Sequence, residues 1–257
     1  MSTPMPVRVV EHQAQVFRRF WRTTVVAYIL SPLLFLVAMG KGLGGIIDQK
    51  SGPVGGVGYF EFVAPGLMLG AAMQGAVGES LWPVMAGQKW VRNFHAMVAT
   101  PLRPVDVYMG VVSWATARVT IGASAFLAVA ALLGAIPSAW AVLAIPAAAL
   151  CGAAFASVVT AFTATQETDL KFPVIMRLGV MPLFLFSGTF FPVSQLPHVL
   201  RPVAAVSPLW HGVELARAAT TGRFRLGPDL VHLAFLGALV AAGWLWGRRT
   251  FTRRLTQ

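Results

Sequence analysis

Residues 141–163 read AVLAIPAAALCGAAFASVVTAFT, 23 positions without a charged side chain. At about 1.5 Å per residue, a helix of this length reaches roughly 35 Å, enough to cross the ~30 Å hydrocarbon core of a bilayer. A β-strand reading fails, because barrel strands alternate apolar and polar residues over about 10 positions and this run does not alternate. Backbone groups in hydrocarbon must be bonded within their own segment, and the helix does that. Cys151, the single cysteine of the chain, lies inside the run. A lone cysteine forms no intrachain disulfide and no multi-cysteine metal site, so it reads as a small core filler.

Further apolar runs flank this one, at about residues 24–40, 60–82, 107–133, 172–191 and 230–246. Together they predict an all-α integral membrane protein of six transmembrane helices. Pro32 is expected to kink the first span, and Pro65 with several glycines allows close packing of the second. Composition agrees: 56% of residues are hydrophobic, only 11% are charged, and mean hydropathy is +0.70. A soluble domain carries about 25% charged residues, so this chain lacks the polar surface to stay in water.

The segments between the runs carry the organisation. Residues 7–23, VRVVEHQAQVFRRFWRT, place Val9, Val10, Val16, Phe17, Phe20 and Trp21 at helical spacing, with Arg8, Arg18, Arg19 and Arg22 among them. That pattern suits an amphipathic helix lying in the membrane interface, with its arginines on anionic headgroups; the alternative is a helix packed on the cytoplasmic face. Residues 1–23 are therefore read as an interface helix and 24–257 as the transmembrane domain. The N-terminus does not read as a cleavable secretory signal, since about 24 residues precede the first apolar run. Residues 41–58 are read as a glycine-rich external loop; they contain no GxxxxGK[ST] and form no phosphate cradle. Residues 87–106 form a polar inner loop, with a helical-looking piece over 88–99, the turn Pro101-Leu102-Arg103-Pro104, and Asp106 placed to cap the third span. Pro137 and Trp140 mark a short external turn, and TQETDLK at 165–171 a short inner one. Residues 192–228, broken by Pro197, Pro202 and Pro208, are too interrupted to span and too apolar for a free loop. Short re-entrant helices at the outer leaflet, buried against protein, reconcile the two.

Basic residues set the orientation. Of the 20 Lys and Arg, 13 fall on one side: four before the first span, three in the loop up to Arg103, Lys171 and Arg177, and four in the tail. Six fall on the other, and Arg118 lies within the third span. Positive residues favour the cytoplasmic side, so both termini are expected inside. The formal charge of +11 thus flanks apolar runs instead of lining a polar domain, which argues for membrane lipid as a partner and against nucleic acid.

Enzyme signatures are lacking: no HExxH, no CxxC, no nucleotide loop, no GxSxG, no carboxylate pair at helical spacing within a span. His12, His95, His198, His211 and His232 scatter over both sides and do not read as a ligand set. No metal site and no catalytic residue is expected. Intramembrane charge is the better lead, because it is costly in lipid and faces a bundle interior. Arg118 either pairs with Glu79 or a backbone carbonyl, or contacts a substrate headgroup. Phe184, Phe186, Phe190 and Phe191 either pack the fifth helix or line a hydrophobic gate.

The run SGTFFPVSQLPHVLRPVAAVSPLWHGVELAR at 187–217 resembles the C-terminal signature of the ABC-2 type transporter permeases. Gly188, Phe191-Pro192, Leu196-Pro197, Pro208-Leu209-Trp210-His211 and Arg217 carry it. ATPLRPVDVYMG at 99–110 is similar to the family's ATPL-x-P stretch, and within the family the chain looks most like the NodJ and daunorubicin-exporter branch. The resemblance implies a half-transporter: two permease copies or paralogues pair, and each docks a separately encoded ATPase subunit, which holds the ATP and Mg while this chain holds no cofactor. It implies an exporter in a bacterial inner membrane for lipooligosaccharides, polysaccharide precursors or hydrophobic drugs. Gly188, Pro192, Pro197, Pro208, His211 and Arg217 would form an outer gate, Arg118 and the phenylalanines a substrate path. The inner loop would couple to the ATPase through Gln88, Lys89, Trp90, Arg92, Asn93 and Phe94. The family's E-R-x-x-G-T start to that loop is absent here. A membrane-embedded transferase, or a membrane anchor for an ATPase that transports nothing, are the competing readings.

Overall fold

The computed structural model describes residues 5–256, without the side chains of 19–29, 31, 32, 41, 43 and 51. Part of the expected interface face, the side chain of Pro32 at the expected kink, and residues 1–4 of the interface segment lie outside that description.

The described chain opens with α1 (Met5–Leu36), one unbroken helix covering both the expected interface segment and most of the first run. It widens into a π-helical stretch, Val37–Leu43, and then α2 (Gly44–Ser51). The expected glycine-rich loop is therefore largely helical, and only residues 52–58 are irregular. Ile46, Ile47 and Asp48 explain the difference. The isoleucines supply apolar side chains, Ile47 packing on the core, and the Asp48 carboxylate accepts the Tyr59 N–H at 3.0 Å. That bond caps the next helix from across the loop. Gly55 and Gly56, at φ 63° and 81°, close the turn with a backbone geometry that side-chain-bearing residues resist.

The rest of the bundle is α3 (Tyr59–Met85), α4 (Asn93–Val98), α5 (Pro104–Leu132), α6 (Ala144–Thr163), α7 (Phe172–Val174), α8 (Met181–Phe186), α9 (Arg201–Ala205), α10 (Pro208–Thr221) and α11 (Leu226–Leu255). Four helical stretches among the described residues are long and apolar enough to cross a membrane: Tyr59–Trp90, Pro104–Leu132, Ala139–Thr163 and Leu226–Leu255. The fifth expected span is shorter than its apolar run. Helix extends only over Phe172–Phe186, because Gly188 adopts φ 79° and turns the chain before Phe190 and Phe191 are reached.

The alanine-rich α6 lies at the centre, against α3, α5, α10 and α11. Its small side chains are what allow this. Ala144, Ala148, Cys151, Ala154 and Ala156 are all buried, and helices in lipid associate through such close-packed faces. A Cβ on Gly243 of α11 would lie 2.8 Å from the Ser157 backbone, and one on Gly66 of α3 would lie 2.7 Å from the Thr189 carbonyl oxygen. The Tyr108 hydroxyl joins three helices, reaching the carbonyls of Ser157 at 3.0 Å and Gly243 at 2.8 Å. A second apolar cluster unites Val9, Phe94, Val107, Tyr108, Phe251 and Leu255. The first and last helices thereby bring both chain ends to one end of the bundle.

Candidate functional site

Polar chemistry gathers in three places: the end that holds both termini, the middle of the bundle, and the opposite end.

At the termini end, α3 runs on as a π-helical stretch, Ala86–Trp90, and then turns sharply. Arg92 makes the turn at φ 57°, in the left-handed region that side-chain-bearing residues seldom occupy. The expected helical piece over 88–99 is thus broken there, and only Asn93–Val98 is α-helical beyond it. The turn folds Phe94 back onto Gly87, where a Cβ would lie 2.5 Å from its ring; Phe94 also packs on Phe251. Trp90 and Val91 point the other way and are 57% and 69% exposed. Gln88 is buried, and neither its amide oxygen nor its nitrogen has a hydrogen-bond partner among the described residues, nor does the Asn93 side-chain oxygen. Lys89 pairs with Glu167, which also takes Arg254 at 2.5 Å. Hydrogen bonds from Arg254 and Lys89 hold the Glu167 carboxyl down, to about 2. Glu167 thus ties the 165–171 turn to the inner loop and the C-terminal helix. Sequence reasoning passed over it; the available signal was a charged residue in a short inner turn between two apolar runs. Asp106 does cap α5, its carboxylate accepting the Arg103 N–H at 3.0 Å.

In the middle, Arg118 of α5 pairs with Glu79 of α3, both largely buried, and the guanidinium lies 4.9 Å from the Phe17 ring centre. Phe17 in turn meets Trp114 edge-on at 5.7 Å. One ion pair therefore joins α1, α3 and α5. Phe184 and Phe190 meet edge-on at 5.1 Å and Phe35 joins Phe190 at 5.7 Å. Phe186 is exposed and Phe191 half-buried; neither makes a ring contact with this group among the described residues.

At the opposite end the motif residues converge, although they are far apart in sequence. Arg217 donates to Glu214 at 2.6 Å and to the Gly188 carbonyl at 2.7 Å, and its guanidinium lies 3.9 Å from the Phe62 ring centre. Ser187 and Ser207 share a hydrogen bond of 2.6 Å. Pro208 opens α10 in its first turn, where its missing N–H costs nothing; Pro192 precedes a single 3₁₀ turn, Val193–Gln195, and Pro197 follows two residues after that turn. His211 and His232 do not stay apart: their Nδ1 atoms are 2.7 Å from each other. His211 Nε2 lies 3.0 Å from the Ala205 carbonyl, which only accepts, so His211 carries its proton on Nε2 and receives one from His232 Nδ1. The pair locks α10 to α11. Among the described residues no three His, Cys, Asp or Glu side chains come together as a metal-binding group. His232, Glu214, Ser187 and Ser207 had no individual signal in the sequence beyond their polarity within apolar surroundings.

Known proteins are similar to this chain over most of its length. The family model described as "ABC-2 type transporter" matches residues 9–220. The chain is 33% identical over 206 residues to "Nodulation protein J" of Rhizobium leguminosarum bv. trifolii, covering 79% of this chain and 77% of that one. It is 30% identical over 241 residues to the protein of that name from Rhizobium leguminosarum bv. viciae, covering 91% and 90%. The Rhizobium meliloti (strain 1021) protein of the same name is 31% identical over 224 residues, covering 85% and 82%.

Proposed function

The chain belongs to the ABC-2 type transporter family, and from that premise we propose that it is the permease half of an ATP-driven exporter powered by a separate ATPase subunit. Two copies, or this chain and a paralogue, would form the membrane path and carry an amphipathic or lipid-linked substrate outward across a bacterial inner membrane. The observation that carries this reading is the match itself, which runs from α1 through α10 and includes both the inner loop and the outer motif.

The geometry supports a division of labour. Both chain ends, α4 and the basic tail share one end of the bundle, which the positive-inside rule assigns to the cytoplasm. The exposed Trp90 and Val91 then stand where an ATPase would dock, on a turn braced by Phe94 beneath and by Lys89 to Glu167 at the side. Gln88, Arg92 and Asn93 complete the coupling element. A push on this turn reaches α3 directly, since the π-helical stretch is its continuation, and α11 through Phe251. Movements of ATPases are relayed by such rigid elements. Besides the four apolar stretches, α1 with the 37–43 stretch would supply a further span, and Phe172–Phe186 a sixth, short one. Residues 192–228 would form the outer gate, held by the Arg217 and His211 contacts. Arg118 and the Phe184 and Phe190 pair would lie along the path.

Co-expression with a candidate ABC ATPase subunit tests the reading. The two proteins are expected to purify together in detergent and, in lipid vesicles, to accumulate a lipid-linked sugar only when ATP is supplied. An ATP-independent chemical conversion of that lipid by the isolated chain would overturn it.

A further inference from the structure

The turn that follows α3 is built against the preferences of its own residues, and three separate features show it. The Val91 N–H donates to the Ala86 carbonyl at 2.8 Å, five residues back, which widens the end of the helix into its π-helical stretch. Single wide turns of this kind gather at functional sites. Arg92 stands at φ 57°, and no other described residue that bears a side chain has a positive φ. A Cβ there crowds the following carbonyl, a cost that glycine escapes. Gln88 is 1% exposed, and neither end of its amide has a hydrogen-bond partner among the described residues; the buried Asn93 side-chain oxygen is equally unmatched. A buried amide without partners forfeits the hydrogen bonds that water would give it.

Neighbours hold this arrangement in place. Phe94 lays its ring on Gly87 and on Phe251, and Lys89 pairs with Glu167 of the 165–171 turn. Strained backbone persists only under such outside restraint, and it concentrates in segments that change shape. At the tip, Trp90 and Val91 are 57% and 69% exposed. A partner that covers them acts on the turn directly.

We propose that the turn is a two-state switch. In the resting state its neighbours keep Gln88 buried and Arg92 left-handed. When the ATPase covers Trp90 and Val91, the Val91 N–H passes from the Ala86 carbonyl to that of Gly87, four residues back, and Arg92 returns to the ordinary helical region. Gln88 turns out of the interior, and its amide finds partners in water or on the ATPase. Relief of the three mismatches favours the engaged state, whereas the contacts of Phe94 and Lys89 favour the resting one. An element balanced in this way converts a difference in partner affinity into a change of shape. The switch rests on the reading of this turn as the ATPase-coupling element, and its test keeps the two apart.

Two quantities are measured on the full chain in lipid: backbone hydrogen exchange over residues 86–92 without an ATPase, and stimulation of an ABC ATPase that co-purifies with the chain. Q88M keeps the length of the side chain and removes the unmatched amide, so it favours the resting state. Exchange is expected to slow about tenfold, the scale of one buried unpaired group, and the melting temperature to rise by about 3 °C. R92G and R92A both lack the charge, but only glycine adopts the left-handed geometry freely. R92G should therefore exchange about tenfold more slowly than R92A and, by the same shift in population, stimulate the ATPase about tenfold less. Exchange in Q88M as fast as in the native chain, or equal stimulation by R92G and R92A, would overturn the switch. If the native chain stimulates the ATPase while R92G and R92A match, the coupling reading stands and the switch alone falls. If the native chain stimulates no ATPase, both fall.

Discussion

Arg118 and Glu79 meet between two apolar helices, and neither charge would be stable there alone. Removing one member of such a pair is much worse than removing both, because the survivor keeps its desolvation cost. R118M should therefore lower unfolding stability on the order of 3 kcal/mol, and R118M with E79Q should recover at least half of the loss, as read from thermal denaturation in detergent. Arg118 and Glu79 were individually legible in the sequence as charges within apolar runs. The further partner, Phe17, was not, because a contact across about a hundred positions leaves no local period.

Glu167 makes a second prediction at this scale. Its folded carboxyl sits at about 2, well below the ordinary 4.5. The clamp to Lys89 and Arg254 is therefore fully present above about pH 4.5 and is lost as the pH falls toward 2. A spin label at Asp169→Cys should report an unchanged, restrained 165–171 turn from pH 7 to pH 5 and rising mobility below pH 4. E167Q should be mobile throughout. A label mobile at pH 7 in the native background would contradict the clamp.

At the scale of elements, helix contacts here are set by where side chains are missing. Gly243 leaves room for the Ser157 backbone, whereas a Cβ on Gly122 of α5 would meet nothing within 4 Å. G243V should separate α11 from α6 and lower the melting temperature sharply, on the order of 2 kcal/mol or more from overpacking. G122A should be neutral or stabilising by about 0.5–1 kcal/mol, since alanine is the better helix residue. The same measurement on both variants distinguishes contact from propensity. The helices α3, α5, α6 and α11 were legible as long apolar runs. The helix α2 was not, because glycines at Gly42, Gly44 and Gly45 lower local propensity while Ile47 and the Asp48 cap restore the helix from outside. Phe172–Phe186 was over-extended for the opposite reason: hydropathy continues past Phe186, but backbone geometry at Gly188 does not. The His211 and His232 pair was not legible as such, since two unremarkable histidines 21 positions apart are joined only across a helix turn.

Across the whole molecule, the termini, the α4 turn and the Glu167 clamp sit at one end, and the motif cluster around Arg217 at the other. That polarity fits a machine driven from one face and gated at the other. Labels at Met5 and Thr256 should react with a membrane-impermeant reagent from the same side of a sealed vesicle, and a label at Phe224 from the other. The most direct measurement is ATP turnover by the partner ATPase reconstituted in lipid with this chain. The native chain should stimulate turnover, and the double substitution Trp90→Ser, Val91→Ser should abolish at least nine-tenths of that stimulation while leaving thermal stability and the lipid-bound helical bundle unchanged. Undiminished stimulation by the substituted chain, or no stimulation by the native one, would contradict the assignment of this chain as the ATP-driven permease.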